Sequence, residues 1–85
     1  MGNDSEVTWE MGSSGKHYIS GEYIYGPTDS GKFYISGGYI YGPRNSGKFY
    51  IDGDYIYGPW QSGRWFISGG YFYGPPNEEL PWLRA

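Results

Sequence analysis

Residues 31–46 have the sequence GKFYISGGYIYGPRNS, and this stretch decides the fold. It holds two short aromatic and β-branched segments, which β-strands favour, separated by Ser36-Gly37-Gly38. Glycine at this place suits a tight two-residue turn. Pro43 ends the second segment, because proline has no N–H group for a strand ladder. The stretch is therefore predicted to form one β-hairpin followed by a longer polar loop.

The hairpin pattern recurs with a period of 16 residues, and the copies align without a gap. The four predicted repeats are residues 15–30, 31–46, 47–62 and 63–78. They form the body of one predicted domain, residues 1–85. Residues 1–14 are predicted to be an N-terminal segment that adds one partial-repeat strand at Val7-Thr8-Trp9, and residues 79–85 are a C-terminal tail.

Strand alternation divides the side chains between two faces. In the third copy, Asp52-Gly53 suits a type I′ turn and Gly53-Asp54 a type II′ turn, and both give the same division. The apolar face, which is the predicted core, carries His17, Ile19, Ile24, Phe33, Ile35, Ile40, Phe49, Ile51, Ile56, Trp65, Ile67 and Phe72. The other face is amphipathic and carries the tyrosines. In the reversed alternative the tyrosines line a polar cavity, and oligomerisation buries the isoleucine face.

Eight short strands in a flat sheet would leave exposed edges. Closing the four hairpins around an axis removes the edges, and eight strands leave an interior that side chains can fill. The predicted fold is therefore all-β, with the four hairpin repeats closing into a shallow four-fold barrel or ring. The alternative is an open single-layer antiparallel sheet.

The two tails leave two interpretations open. In the first, the chain ends meet and close the ring by strand exchange, although Pro81 opposes full strand pairing. In the second, a plug covers one open end of the barrel. The plug would consist of Trp9, Leu80, Trp82 and Leu83.

The fourth copy and the loop before it are enriched in large aromatic side chains. These are Trp60, Trp65, Phe66 and Phe72. They indicate either an interface hot spot or the seam where Trp82 and Leu83 dock.

Composition excludes several classes of protein. The chain has no cysteine, which removes disulfides, zinc-thiolate sites and cysteine nucleophiles. Its net charge of −3 disfavours binding to duplex DNA. The sequence contains neither a signal peptide nor an apolar segment long enough to span a membrane. We expect a cytoplasmic protein.

Catalysis is not expected. His17 is the only histidine, and it occupies the repeat position of Phe33, Phe49 and Trp65, which indicates a structural variant. Asp52 and Asp54 flank one glycine and fit a solvated hairpin tip better than a metal site. We predict no enzyme, no cofactor and no metal.

Two sets of side chains are candidate binding residues. The first is an amphipathic surface made of tyrosines. Such surfaces make rigid contacts with a partner. In the alternative interpretation, the tyrosines only pair across neighbouring strands and stabilise a thin sheet. The surface comprises Tyr18, Tyr23, Tyr25, Tyr34, Tyr39, Tyr41, Tyr50, Tyr55, Tyr57, Tyr71 and Tyr73, with Phe66. The second is a positively charged side chain that recurs at one position of each repeat. In a closed ring the four charges would lie at the same height and could hold an anion. In the alternative, each charge only protects the start of its strand from pairing with another strand. The members of this set are Lys16, Lys32, Lys48 and Arg64.

The stretch Ile51-Asp52-Gly53-Asp54-Tyr55-Ile56-Tyr57-Gly58 resembles the short hairpin repeats of bacterial β-flower proteins. The resemblance covers residues 15–78 and implies a shallow symmetric barrel with hairpin petals. It implies no established activity, and binding of a lipid or another hydrophobic ligand follows from it only by analogy. The Gly-Pro that follows each final tyrosine departs from the pattern of that family.

Three functions remain open. The leading hypothesis is a non-enzymatic binding module, an adaptor or inhibitor, that contacts a protein partner through its tyrosines. The second is a binder of a glycan, a lipid headgroup or another anion through the tyrosines and the ring of cations. The third is a structural repeat that forms homo-oligomers edge to edge.

Overall fold

The computed structural model describes residues 12–84, and these form a closed antiparallel barrel of eight strands in sequence order. The predicted all-β ring is therefore confirmed, and the open sheet is excluded. The strands are β1 Tyr18–Ser20, β2 Tyr23–Tyr25, β3 Phe33–Ser36, β4 Tyr39–Tyr41, β5 Phe49–Asp52, β6 Tyr55–Tyr57, β7 Trp65–Ser68 and β8 Tyr71–Tyr73. One turn of 3-10 helix, Pro81–Leu83, follows β8.

Each hairpin closes through a two-residue turn, as the sequence predicts. Ser36 pairs with Tyr39, so Gly37-Gly38 is the central pair, and both glycines have positive φ angles of 60° and 85°. A type I′ turn needs positive φ at both positions. In the third repeat Asp52 pairs with Tyr55, so the turn lies at Gly53-Asp54 and not at Asp52-Gly53.

The barrel has two different ends. The tip end carries the four hairpin turns, residues 21–22, 37–38, 53–54 and 69–70. The loop end carries the longer connections that start at Gly26, Gly42, Gly58 and Gly74.

Pairing of β1 with β8 closes the barrel. Tyr18 lies opposite Tyr71, and the N–H of Ile19 donates to the carbonyl of Gly70 at 2.8 Å. The N–H of Phe72 donates to the carbonyl of His17 at 3.0 Å. First and fourth repeats therefore join directly.

The N-terminal segment completes the loop of the fourth repeat. The N–H of Gly74 donates to Ser14 Oγ at 3.0 Å, and the N–H of Gly15 donates to the carbonyl of Phe72 at 2.6 Å. A serine and a glycine at the end of each earlier loop make the equivalent bonds. Ser14-Gly15 thus closes the ring from the other end of the chain. The strand predicted at Val7-Thr8-Trp9 lies outside the described residues.

The isoleucine face points inward, so the reversed alternative is wrong. The buried hydrophobic side chains are Ile24, Phe33, Ile40, Phe49, Ile56, Trp65, Phe72, Leu80 and Trp82, and His17 is buried with them. A second set is half-buried and packs against this core at its margins. It includes Ile19, Ile35, Ile51 and Ile67.

At the loop end of the core, each large aromatic ring packs directly against the backbone of a glycine. A β-carbon on Gly58 would lie 2.6 Å from Cε2 and 2.8 Å from Cγ of Phe49. Phe33 and Trp65 cover Gly42 and Gly74 in the same way. The Gly-Pro step therefore does more than end a strand, because its glycine allows the ring to approach the backbone closely.

The C-terminal tail plugs the barrel. Leu80 and Trp82 are fully buried, and the Trp82 ring meets Phe72 and Phe49 edge-on at centroid distances of 5.3 and 6.1 Å. This confirms the plug interpretation for these residues, whereas Trp9 lies outside the described part of the chain. Strand exchange by the tail is wrong, because Pro81 starts a helical turn instead of a strand.

Candidate functional site

The candidate tyrosines gather into four equivalent groups on the outer wall, which we call aromatic triads. In the second triad, the Tyr34 ring lies 5.7 Å from Tyr23 and 5.5 Å from Tyr41. These three residues are opposite one another on adjacent strands, so the register between neighbouring hairpins creates the group. The four triads are Tyr71/Tyr18/Tyr25, Tyr23/Tyr34/Tyr41, Tyr39/Tyr50/Tyr57 and Tyr55/Phe66/Tyr73.

The three positions of a triad differ in exposure. The tip-side members, Tyr23, Tyr39, Tyr55 and Tyr71, are 41–48% exposed, and each meets one other ring. The central members, Tyr18, Tyr34, Tyr50 and Phe66, are 37–39% exposed and lie between two rings. The loop-side members, Tyr25, Tyr41, Tyr57 and Tyr73, are half-buried. Their rings lie close to the glycine at the end of the adjacent loop.

The triads form a rigid amphipathic surface. Tyrosine combines a large apolar ring with a hydroxyl group that can donate or accept a hydrogen bond, and it loses little rotamer freedom on contact. The inward-facing side chains already fill the barrel. Filling the core therefore does not account for the large aromatic rings on the outer wall. The same rings pair across strands, and each such pair adds about 0.5–1.5 kcal/mol to stability. The wall is thus both a stabilising ladder and a candidate contact surface.

The predicted ring of cations is uneven. Lys32, Lys48 and Arg64 are exposed at the starts of the odd-numbered strands, whereas Lys16 is half-buried. The side chains of the three exposed cations form no ion pair within residues 12–84. The four positions are equivalent in sequence, but they do not offer four equal charges to an anion.

His17 is part of the core. It is 1% exposed, its ring covers Gly26, and its Nε2 lies 3.2 Å from the carbonyl oxygen of Thr28. Because a carbonyl only accepts, Nε2 carries the proton and Nδ1 is left as an acceptor, which is buried and unpartnered among the described residues. Burial lowers the pKa of His17 below 6.5, against the opposing effects of the Thr28 bond and of the carboxylates Glu79 and Asp29.

Three side chains of the loop end hold the tail, and of these only Trp60 was singled out by the sequence. Arg44, Asn45 and Trp60 bond to backbone carbonyls of the tail. They stand at the two loop positions where the repeats differ most, and that variability within an otherwise constant unit was the available signal. Trp60 and Phe72 both contact the tail, in agreement with the seam interpretation, whereas Phe66 belongs to a triad.

A cavity of about 530 Å³ lies between the tail and the loops. On the loop side it is lined by Asp29, Arg44, Trp60 and Gln61, and on the other side by residues 77–81, 83 and 84. Its charged groups are partly neutralised, because Arg44 forms an ion pair with Asp29. The tail therefore does not fill the loop end.

No family model, no curated protein and no solved structure matches this chain. Within residues 12–84, no group of three or more histidine, aspartate or glutamate side chains is arranged to hold a metal ion. The same part of the chain has no helix of the length and apolarity that crossing a membrane requires.

Proposed function

We propose that this chain is a non-enzymatic binding module and that the four aromatic triads are its contact surface for a protein partner. The observation that carries the proposal is that eight of the twelve triad rings are 37–48% exposed on the outer wall of a barrel whose core is filled without them. A contiguous exposed aromatic patch is unusual for an inert monomer.

Two further features support a protein as the partner. Tyrosine anchors and adaptable hydroxyl groups are typical of protein-binding surfaces. The four-fold repetition also presents the same surface four times, so a partner with several matching segments would gain avidity.

The proposal includes kinship with the β-flower type of hairpin repeat. The closed ring of four hairpins and the Ile-Tyr strands support it. The Gly-Pro step still differs from the pattern of β-flower repeats. Its glycine has a structural role here, because an aromatic ring of the core packs directly against it.

The test changes the tip-side members, because they are the most exposed and each touches only one ring. A variant with Tyr23→Thr, Tyr39→Thr, Tyr55→Thr and Tyr71→Thr keeps β-branched residues in the strands. The matched control, Asp52→Ser with Asp54→Gly, gives the third repeat the tip that the second already has. Wild type and both variants are immobilised, exposed to lysate of the source cell and read by mass spectrometry, after circular dichroism has verified their folds.

We expect wild type and control to retain one stoichiometric protein that the threonine variant loses. If a folded threonine variant retains the same protein, the triads are not the contact surface. Salt-sensitive retention of a glycan or anion, lost in Lys32→Ala with Lys48→Ala, would support the second hypothesis instead. Concentration-dependent assembly without a ligand would support the third, although every strand of the closed barrel already has two neighbours.

A further inference from the structure

The C-terminal tail lies on the loop end as a bound peptide lies on its receptor. We propose that the loop end is a recognition site for peptides of Leu-Pro-Trp-Leu type, which this chain fills in cis with its own residues 80–83 and which a second copy can fill in trans. The site is separate from the triads and shares no residue with them.

Side chains of the loops bond to four consecutive backbone carbonyls of the tail. Trp60 Nε1 donates to the Pro81 oxygen at 2.9 Å, and Arg44 Nε donates to the Leu83 oxygen at 3.1 Å. Asn45 Nδ2 reaches both the Trp82 oxygen at 3.1 Å and the Arg84 oxygen at 2.6 Å. Bonds from receptor side chains to successive main-chain groups fix the path and direction of a peptide.

Two tail side chains supply the apolar part of the recognition. Leu80 is 1% exposed and Trp82 is fully buried, with its ring edge-on to Phe49 and Phe72. Buried tryptophan anchors of this kind dominate the energy of many interfaces. A peptide without the tryptophan would lose the larger of these two buried side chains and its contacts with Phe49 and Phe72.

The donors interrupt the repeat at this site. Arg44, Asn45 and Trp60 belong to the second and third loops, whereas the first loop has Thr28 and Asp29 at the corresponding positions. A four-fold barrel therefore becomes one-sided at the loop end, on the side where the tail lies. The side chains that bond to the tail carbonyls are therefore confined to two of the four loops.

The site is also larger than its present occupant. The cavity of about 530 Å³ beside the tail remains open to a longer peptide. Six residues, 74–79, link β8 to Leu80. A linker this short gives the cis tail an effective concentration in the millimolar range, so the cis tail must be weakened before a trans peptide is seen.

The experiment uses the full chain with Trp82→Ala and a synthetic amidated peptide of residues 79–84, Glu-Leu-Pro-Trp-Leu-Arg. The control peptide has alanine in place of the tryptophan. Binding is followed by the anisotropy of the labelled peptide and by the thermal midpoint of the protein. We expect saturable binding and, at ten times the Kd, a shift of about 11-fold in the folding equilibrium of the variant. Wild type should show neither effect at the same concentration.

Asn45→Ala, combined with Trp82→Ala, should weaken peptide binding at least several-fold, because two of the four carbonyl bonds then disappear. If Trp82→Ala does not fold by itself, Trp82→Phe is the milder variant, and either should refold from urea when the tryptophan peptide is present. Absence of binding and of assisted refolding at millimolar peptide would overturn the proposal. So would equal binding of the alanine peptide.

Discussion

Replacing Gly58 with alanine tests whether the glycine before each proline seats an aromatic ring. The new β-carbon would lie 2.6 Å from Cε2 and 2.8 Å from Cγ of Phe49, a ring that is 0% exposed. Carbon atoms in contact prefer about 3.5–4.0 Å, so the ring must move by roughly 1 Å in a filled core. Overpacking of this kind costs about 1–3 kcal/mol. In a domain of this size each kcal/mol lowers the thermal midpoint by about 4–8 °C.

The assay is urea unfolding followed by tryptophan fluorescence, on Gly58→Ala, Phe49→Leu and the double variant. Leucine removes the clashing part of the ring, so Gly58→Ala should cost less than half as much when Phe49→Leu is already present. The control is Gly53→Ala, where a β-carbon has no neighbour within 4 Å but φ is +66°. Its cost comes from the backbone, and Phe49→Leu should not relieve it.

Two results would refute the reasoning. One is a Gly58→Ala chain whose free energy of unfolding lies within about 0.5 kcal/mol of wild type, the range of ordinary surface changes. The other is a cost that Phe49→Leu leaves unchanged, since additivity means that the two positions do not interact.

Three further outcomes are expected. Because the pKa of His17 is lowered on folding, wild type should lose stability as pH falls below 6.5, and His17→Phe should remove that part of the pH dependence in urea titrations. In chemical unfolding, Tyr34→Ala should lower the free energy of unfolding by about 1–3 kcal/mol, because it loses two ring contacts, and Tyr39→Ala by about 0.5–1.5 kcal/mol, because it loses one. Equal losses would contradict the triad geometry. Ser14→Ala should lower the free energy of unfolding by about 0.5–1.5 kcal/mol, because the hydrogen bond from the Gly74 N–H is lost. An unchanged thermal midpoint would contradict this expectation.

The sequence was sufficient to predict the hairpins and the division of their side chains between two faces. It favoured the isoleucine face as the core, but it left the reversed orientation and two positions of the turn open. Ile35 and Ile40 had to share a face with Phe33, because two-residue turns and strand alternation leave one arrangement. The number of strands and the cost of free edges favoured closure over the alternative of an open sheet. These constraints are local or periodic, and the same ones occur in each of the four repeats.

The triads and the tail site were only partly accessible. Alternation placed the tyrosines on the face opposite the isoleucines, but their grouping depends on the pairing of Tyr23 with Tyr34 across two hairpins, which no turn fixes. The tail is the one described element that breaks the four-fold pattern, so periodicity could not tell which loop it would meet. The aromatic enrichment had marked Trp60 as a hot-spot or seam residue, whereas no sequence signal assigned Arg44 a contact with the tail, which the structure places at the Leu83 carbonyl.

The hydrogen bond from Gly74 to Ser14 has a consequence for the way such a chain can grow. Solenoid repeats gain or lose units freely, because each unit meets only its neighbours. Here the last unit is finished by the first, and the circumference admits a fixed number of hairpins. Adding or removing one hairpin would therefore change the diameter of the whole ring and not only the two neighbouring units. Ser14 must therefore be present for the fourth loop to be complete, although it lies 60 residues before Gly74 in the chain.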